Sequence, residues 1–141
     1  GNWLAGEESA GLFDVATYDA FAERVHGLKR RTIDLLGTLR SDGRRIVGYG
    51  APAKGNTLLN FYGLGPDILD YLVDRNALKH GLFTPGIPIP VVPVYHLLED
   101  QPDYLLILAW NFADEIMREQ RLYRHRGGTF ILPIPEPRVV A

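Results

Sequence analysis

The chain has 141 residues, with 15 Lys and Arg against 17 Asp and Glu, 46% hydrophobic residues, 23% charged residues and no cysteine. That length supports one domain with its own core, and the composition rules out an intrinsically disordered chain, a disulfide framework and thiolate-bound zinc within these residues. A formal net charge of −2 argues against a nucleic-acid binder, and the longest apolar run, 104–110, is far short of the about 20 residues of a membrane span.

The chain opens on Gly1 rather than methionine, without a basic-then-apolar leader. A processed start, or a piece of a longer protein, is therefore expected, in a cytoplasmic setting. Residues 1–17 show no sustained periodicity and read as an opening segment ahead of one domain over 18–141. From Tyr18 the apolar residues Phe21, Ala22, Val25, Leu28, Leu35, Leu36 and Leu39 recur at steps of three and four with one gap. That spacing predicts a long amphipathic helix with its apolar face on a core, Thr17 as N-cap and Gly43 near the stop.

Short apolar runs then alternate with helical stretches. Strands are predicted over 45–49, 70–73, 104–109 and 129–132, and helices over 52–62 and 112–126. Pro52 suits a first helical turn, Gly63 a helix end, and Asn111 a cap for the second helix. The proline-rich stretch 76–94 leaves room only for a short edge strand near Val91 and Val92, because proline cannot donate to a sheet ladder. Strands that are apolar throughout and separated by helices imply a parallel sheet covered on both faces. The expected fold is a Rossmann-like α/β three-layer sandwich with a mostly parallel sheet of about five strands, preceded by the long helix.

In such sheets ligands bind beyond the carboxyl ends of the strands, near the point where strand order reverses. Four segments qualify: 50–56, 74–76, 110–111 and 133–136. The first reads Gly50-Ala51-Pro52-Ala53-Lys54-Gly55-Asn56. Its small residues permit close backbone approach, and the helix N-terminus that follows favours an anion. Lys54 places a cation where the helix dipole disfavours one, which suits a phosphate ligand. Alternatively the glycines serve tight strand-to-helix packing and Lys54 is merely solvated.

Gly48-x-Gly50-x-x-Ala53 also fits the GxGxxA form of the dinucleotide fingerprint, with Asp74 where a ribose-binding carboxylate belongs. Asp74, Arg75 and Asn76 form either a ribose or phosphate clamp or an ordinary turn. Trp110 can cover a ligand, and Asn111 is explained by capping alone. His26, His80, His96 and His125 are scattered without metal-ligand spacing, and the arginines at 118, 121, 124 and 126 complement a helix C-terminus. No catalytic residue and no metal site stand out.

The stretch 48–60, GYGAPAKGNTLLN, closely resembles the signature of the C-terminal domain of SAM-dependent sugar C-methyltransferases. Val73-Asp74-Arg75-Asn76 with Lys79, Gly81, Pro85-Gly86 and Ile89-Pro90 is similar to a second block of that family. Leu108-Ala109-Trp110-Asn111 with Glu115-Ile116, and Gly127-Gly128 through Pro133-Ile134-Pro135-Glu136, resemble a third and a fourth. Ala77 stands where the family often has proline, and His80 varies a position that is usually polar.

The resemblance implies a three-part parent: a cysteine-rich zinc domain, a central SAM-binding methyltransferase domain, and this domain. The parent would methylate a carbon next to the keto group of a nucleotide-linked deoxysugar, with both the base and SAM in the central domain. This chain would hold neither cofactor and would not be catalytic alone. By the same resemblance Gly50, Ala53, Lys54, Gly55 and Asn56 meet the diphosphate. Asp74, Arg75 and Asn76 line the nucleotide side, and Trp110, Asn111 and Glu136 form a rim toward the SAM-binding partner domain. Two rival expectations stand beside it: an NAD-binding oxidoreductase domain, resting on the glycine pattern and Asp74, and a non-binding structural module that buttresses a partner domain.

Overall fold

A computed structural model describes residues 5–50 and 52–141, and for residues 5–17, 53 and 54 the backbone alone. Helix α1 runs over Ala5–Ser41 and ends in a turn at Gly43. Strand β1 (Ile46–Tyr49), α2 (Ala53–Tyr62) and β2 (Leu72–Asp74) follow. A 3-10 turn (Ala77–Lys79) leads to β3 (Val91–Pro93), α3 (His96–Asp100) and β4 (Tyr104–Ile107). A second 3-10 turn (Trp110–Phe112) opens α4 (Ala113–Glu119) and α5 (Arg121–His125), and β5 (Thr129–Leu132) and β6 (Arg138–Val140) close the chain.

The six strands lie in the order β3-β2-β1-β4-β5-β6, parallel except for β6, which pairs antiparallel with β5. This is the expected Rossmann-like layout with one strand more than expected. Strand β3 takes the predicted edge position, in parallel register with β2. Side-chain alternation along the strands divides the core in two. Ile46, Leu72, Leu106 and Ile131 pack with Leu36 of α1 and Leu58, Leu59 and Tyr62 of α2. Val47, Val73, Leu105, Ile107 and Phe130 pack on the other face with Leu97 of α3, Ile116 of α4 and Tyr123 of α5. Burial on both faces is why these strands read as unbroken apolar runs.

Three local expectations are corrected. The first helix continues upstream to Ala5, so Thr17 lies within it rather than capping it. Its apolar stripe meets the core in its last turns, with Thr32 and Leu36 fully buried and Leu35 and Leu39 packed beside them, while Tyr18 and Phe21 are exposed. A helix of 37 residues spans roughly 55 Å at about 1.5 Å per residue. Four-residue strands span only roughly 13 Å, so the helix overhangs the sheet. The predicted helix over 112–126 is divided at Gln120, where φ −98° and ψ 28° leave the helical range. Asn111 lies inside the 3-10 turn, and α4 starts behind Phe112 without a side-chain cap. Gly63 does terminate α2, at φ 72° with its N–H on Asn60 O and Leu59 O. Among the described residues no helix is long and apolar enough to cross a membrane.

Candidate functional site

Strand order reverses between β1 and β4, and their carboxyl ends part at Gly50 and Ala109. Gly50 makes the exit from β1 at φ 90°, donating its N–H to Val73 O at 2.7 Å. A β-carbon there would lie 3.3 Å from Ala109 Cβ, so the turn needs glycine for both its conformation and its closeness. The other two glycines of the motif serve packing. A β-carbon on Gly48 would reach 2.5 Å from Leu72, and one on Gly55 would reach 3.0 Å from Leu108 and 3.2 Å from Pro52. Gly55 thus brings α2 down onto the strand exit.

Pro52 caps α2 without a side-chain hydrogen bond, and the first turn has no acidic residue. The first intrahelical bond runs from Asn56 N–H to Pro52 O. The N–H groups of residues 53–55 therefore precede the helical ladder. The side chains of Ala53 and Lys54 lie outside the described residues, as does Ala51 altogether.

Two hollows flank this N-terminus, with Pro52 and Lys79 in the walls of both. The smaller, about 330 Å³, lies against β1, β4 and α4 and is lined by Tyr49, Gly50, Asp74, Arg75, Phe112 and Glu115 among others. The larger, about 520 Å³, lies against α2 and the segment before β3, with Asn56, Leu82, Phe83 and Pro85 in its walls. A third hollow of about 440 Å³ is lined by Trp110, Asn111, Ile134, Pro135 and Arg138.

The polar groups around the smaller hollow are held in place locally. Asp74 Oδ1 accepts the N–H of Asn76 at 2.8 Å, and Lys79 Nζ lies 3.9 Å from Asp74 Oδ2. The Asn76 side chain accepts from Leu78 N–H and so starts the 3-10 turn. His80 Nε2 is 2.6 Å from Asp74 O; a carbonyl only accepts, so this nitrogen carries the proton. Arg75 pairs with both carboxylate oxygens of Glu119 at 3.1 Å. Tyr49 is 4% exposed, and its hydroxyl has no hydrogen-bond partner among the described residues. Burial, then the charge of Glu119, raises the phenol's pKa, against the opposing effects of Arg75 and Gln120. The group therefore stays a neutral donor at physiological pH.

The sequence-predicted residues are thus divided. Gly50, Asp74 and Arg75 meet in the smaller hollow, and Asn56 lines the larger one with its Oδ1 buried and unpartnered. Asn76 is spent on its turn. Trp110 and Asn111 open on the third hollow, and Glu136, farther along the β5–β6 connection, lines none of the three. Tyr49, read as a strand residue within the signature stretch 48–60, and Phe83, read as part of a proline-rich stretch, were given no role of their own from sequence. Lys79 carried no role before the fold placed it in the wall between two hollows. Among the described residues no group of three or more His, Asp or Glu side chains is arranged to hold a metal ion.

Residues 1–135 match the model of a family described as the C-methyltransferase C-terminal domain. The chain is also 40% identical over 138 residues to the C-methyltransferase NovU of Streptomyces niveus. That alignment takes in 98% of this chain but 33% of the relative, so the chain spans about a third of the length of the protein it matches.

Proposed function

Because the chain belongs to the family of C-methyltransferase C-terminal domains, we propose that it is the substrate-holding part of a larger SAM-dependent enzyme. In this reading it grips the diphosphate of a nucleotide-linked sugar in the cytoplasm, while a separate domain of the parent carries out methylation at carbon. The observation that carries the reading is the acid-free N-terminus of α2 opening at the switch point between hollows that share Lys79. N–H groups ahead of the helical ladder, the positive end of the helix dipole and a nearby ammonium are what a diphosphate needs. The relative's greater length supports a parent with other domains, whose SAM supplies the methyl group and whose zinc domain is carried over from the family resemblance. This chain's own contribution is binding and orientation, so it is not catalytic alone.

The dinucleotide reading is weaker on two counts. Gly48 is fully explained by its packing on Leu72, and Asp74 is engaged by Asn76 N–H with Lys79 nearby, rather than held open toward a ribose. Calorimetric titration of nucleoside diphosphate sugars, NAD and NADH against wild type and Lys54→Ala tests the assignment. Binding of a nucleotide-linked sugar, weakened about tenfold in Lys54→Ala, is expected. Equal affinity in both proteins removes Lys54 from the site. Preferential NAD binding favours the oxidoreductase reading. No ligand binding, together with tight association to a SAM-binding domain supplied in trans, favours a structural module.

A further inference from the structure

We infer that the overhanging part of α1 is the surface on which the parent's SAM-binding domain docks, with Phe21 and Val25 at the centre of the contact. The inference rests on the reading above that the chain is one part of a larger methyltransferase, and adds where the other part sits.

Along α1, Thr32, Leu35 and Leu39 follow one another at steps of three and four, and the same alternation continues upstream through Leu28, Val25, Phe21 and Tyr18. Such spacing keeps a row on one side of a helix, drifting by only about 20° per seven residues. In the last turns the row is covered. Thr32 is fully buried, and Leu35 and Leu39 pack against the core. Upstream the cover ends: Val25 and Leu28 are half-buried and belong to neither core layer, Phe21 is 54% exposed and Tyr18 69%. A seam that is continuous with the core and then left open, with two aromatic rings in it, marks a contact surface rather than a solvated helix face. His26 and Lys29 pack on Phe61 of α2, at 6.0 Å between rings and 4.9 Å from ammonium to ring, so the helix is braced where it leaves the core.

The position of the open seam selects its occupant. Residues 42–45 turn the chain from the end of α1 into the start of β1, so the upstream residues of α1 lie toward the carboxyl ends of the strands. Pro135, just past the carboxyl end of β5, accordingly shares a hollow of about 720 Å³ with Phe21, Val25 and Leu28. A domain seated on the seam stands at the end of the sheet where the candidate site opens, which is where a methyl donor has to be. The chain covers 33% of its relative and its family is described as a C-terminal domain, so in such a parent the remaining chain enters through α1, the first element. That tether makes the contact intramolecular and favours it over a second copy. The walls of the hollow also carry Arg24, Arg30 and Arg31, exposed and without an ion pair among the described residues, against Glu23. The partner surface is thus apolar at its centre and acidic at its rim.

Hydroxyl-radical footprinting of this chain alone and of the full-length parent enzyme tests the assignment. Tyr18 and Phe21 are expected to oxidise readily in the chain alone and to lose most of that reactivity in the parent. Leu122, exposed on α5 in the opposite layer, should react alike in both. Phe21→Glu should leave this chain's melting temperature and its binding of a nucleotide-linked sugar as in wild type, because Phe21 has no core contact to lose. In the parent the same substitution is expected to restore oxidation of Tyr18 and to slow methylation about tenfold. Phe21→Leu, which keeps an apolar side chain, should retain most of the protection and of the rate.

Equal oxidation of Tyr18 and Phe21 in the chain and the parent, or protection of Tyr18 that Phe21→Glu does not relieve, overturns the docking surface while leaving the proposed function in place. Sedimentation of this chain as a dimer that Phe21→Glu dissociates gives the seam to a second copy and overturns the choice of occupant. Protection in a parent that neither binds nor methylates a nucleotide-linked sugar keeps the docking surface and overturns the functional reading.

Discussion

Gly86 packs so tightly on Asn60 that a β-carbon on the glycine would lie 2.2 Å from Asn60 Oδ1. Asn60, on the last turns of α2, donates through Nδ2 to Asn56 O and Pro85 O and accepts the N–H of Ile87. One side chain thus fastens the proline-rich segment to the helix whose N-terminus opens the candidate site. Gly86 also sits at φ 81°, which a residue with a β-carbon adopts only under strain. Gly86→Ala is expected to destabilise the fold by about 2–3 kcal/mol, and Asn60→Ala by about 1–2 kcal/mol. Because Asn60→Ala also makes room for the new methyl group, the double variant should lose less than the sum of the two. Urea denaturation of the four proteins measures this coupling.

At the opposite end of the sheet, Arg45 pairs through Nε with Asp70 at 3.0 Å and through both terminal nitrogens with Asp100 at 2.8 and 2.6 Å. Tyr71 donates its hydroxyl to Asp100 Oδ2 at 2.7 Å. The Arg45 hydrogen bond, aided by Tyr71, holds the Asp100 carboxyl below the usual aspartate range. A carboxyl whose pKa is lower folded than unfolded adds stability above the unfolded value, about 3.9. That stability is lost as pH falls through the folded value. Acidification from neutral through this range should therefore lower the urea midpoint. Asp100→Asn should lower the midpoint at neutral pH by about 1–3 kcal/mol in stability and flatten its fall in acid. A variant as acid-sensitive as wild type would show that other carboxylates govern the transition.

What could be read from the chain follows from where each element sits. Strands β4 and β5 are buried on both faces, so their apolar runs mark them without help from context. Strand β6 is a half-exposed, antiparallel edge of three residues, Arg138, Val139 and Val140, with no periodicity to reveal it. The break at Gln120, where α4 ends and α5 begins, was invisible because no glycine or proline marks it in the stretch 112–126. Within the candidate site, Gly50 and Asp74 were legible because strand ends carry the rule. Tyr49 was not, since a tyrosine closing an apolar run reads as core until its hydroxyl is found without a partner. Phe83 and Lys79 required the path of the proline-rich segment, which local sequence does not encode.

Tyr123 is fully buried on α5, its hydroxyl donating to Pro102 O at 2.8 Å, and its backbone carbonyl accepts from Gln101 Nε2 at 3.0 Å. A β-carbon on Gly128 would fall 2.2 Å from the Tyr123 ring, which is held at its hydroxyl end and against Phe130. Gly128→Ala should therefore cost about 2–4 kcal/mol, through overpacking rather than backbone strain. Tyr123→Phe, which leaves the Pro102 carbonyl unpaired, should cost about 1–2 kcal/mol. Both belong to stability, so ligand affinity measured well below the melting temperature should match wild type. An affinity loss in either would tie this corner of the fold to the site.

The Arg75–Glu119 pair separates binding from stability in the opposite sense. Arg75, in the wall of the smaller hollow just beyond β2, pairs with Glu119 at the end of α4, and both charges act on Tyr49. With the Arg75 side chain 66% exposed, solvent screening leaves the pair worth little to the fold. Arg75→Ala and Glu119→Gln should each change stability by no more than about 0.5 kcal/mol. Their effects on an anionic ligand should differ in sign. Arg75→Ala removes a cation from the wall and is expected to weaken binding of a nucleotide-linked sugar about fivefold, most strongly at low salt. Glu119→Gln releases Arg75 from its partner and should tighten binding about twofold. Calorimetry at low and high salt reads both. Weaker binding in Glu119→Gln would mean that the carboxylate itself meets the ligand, and would exchange the roles of the two residues.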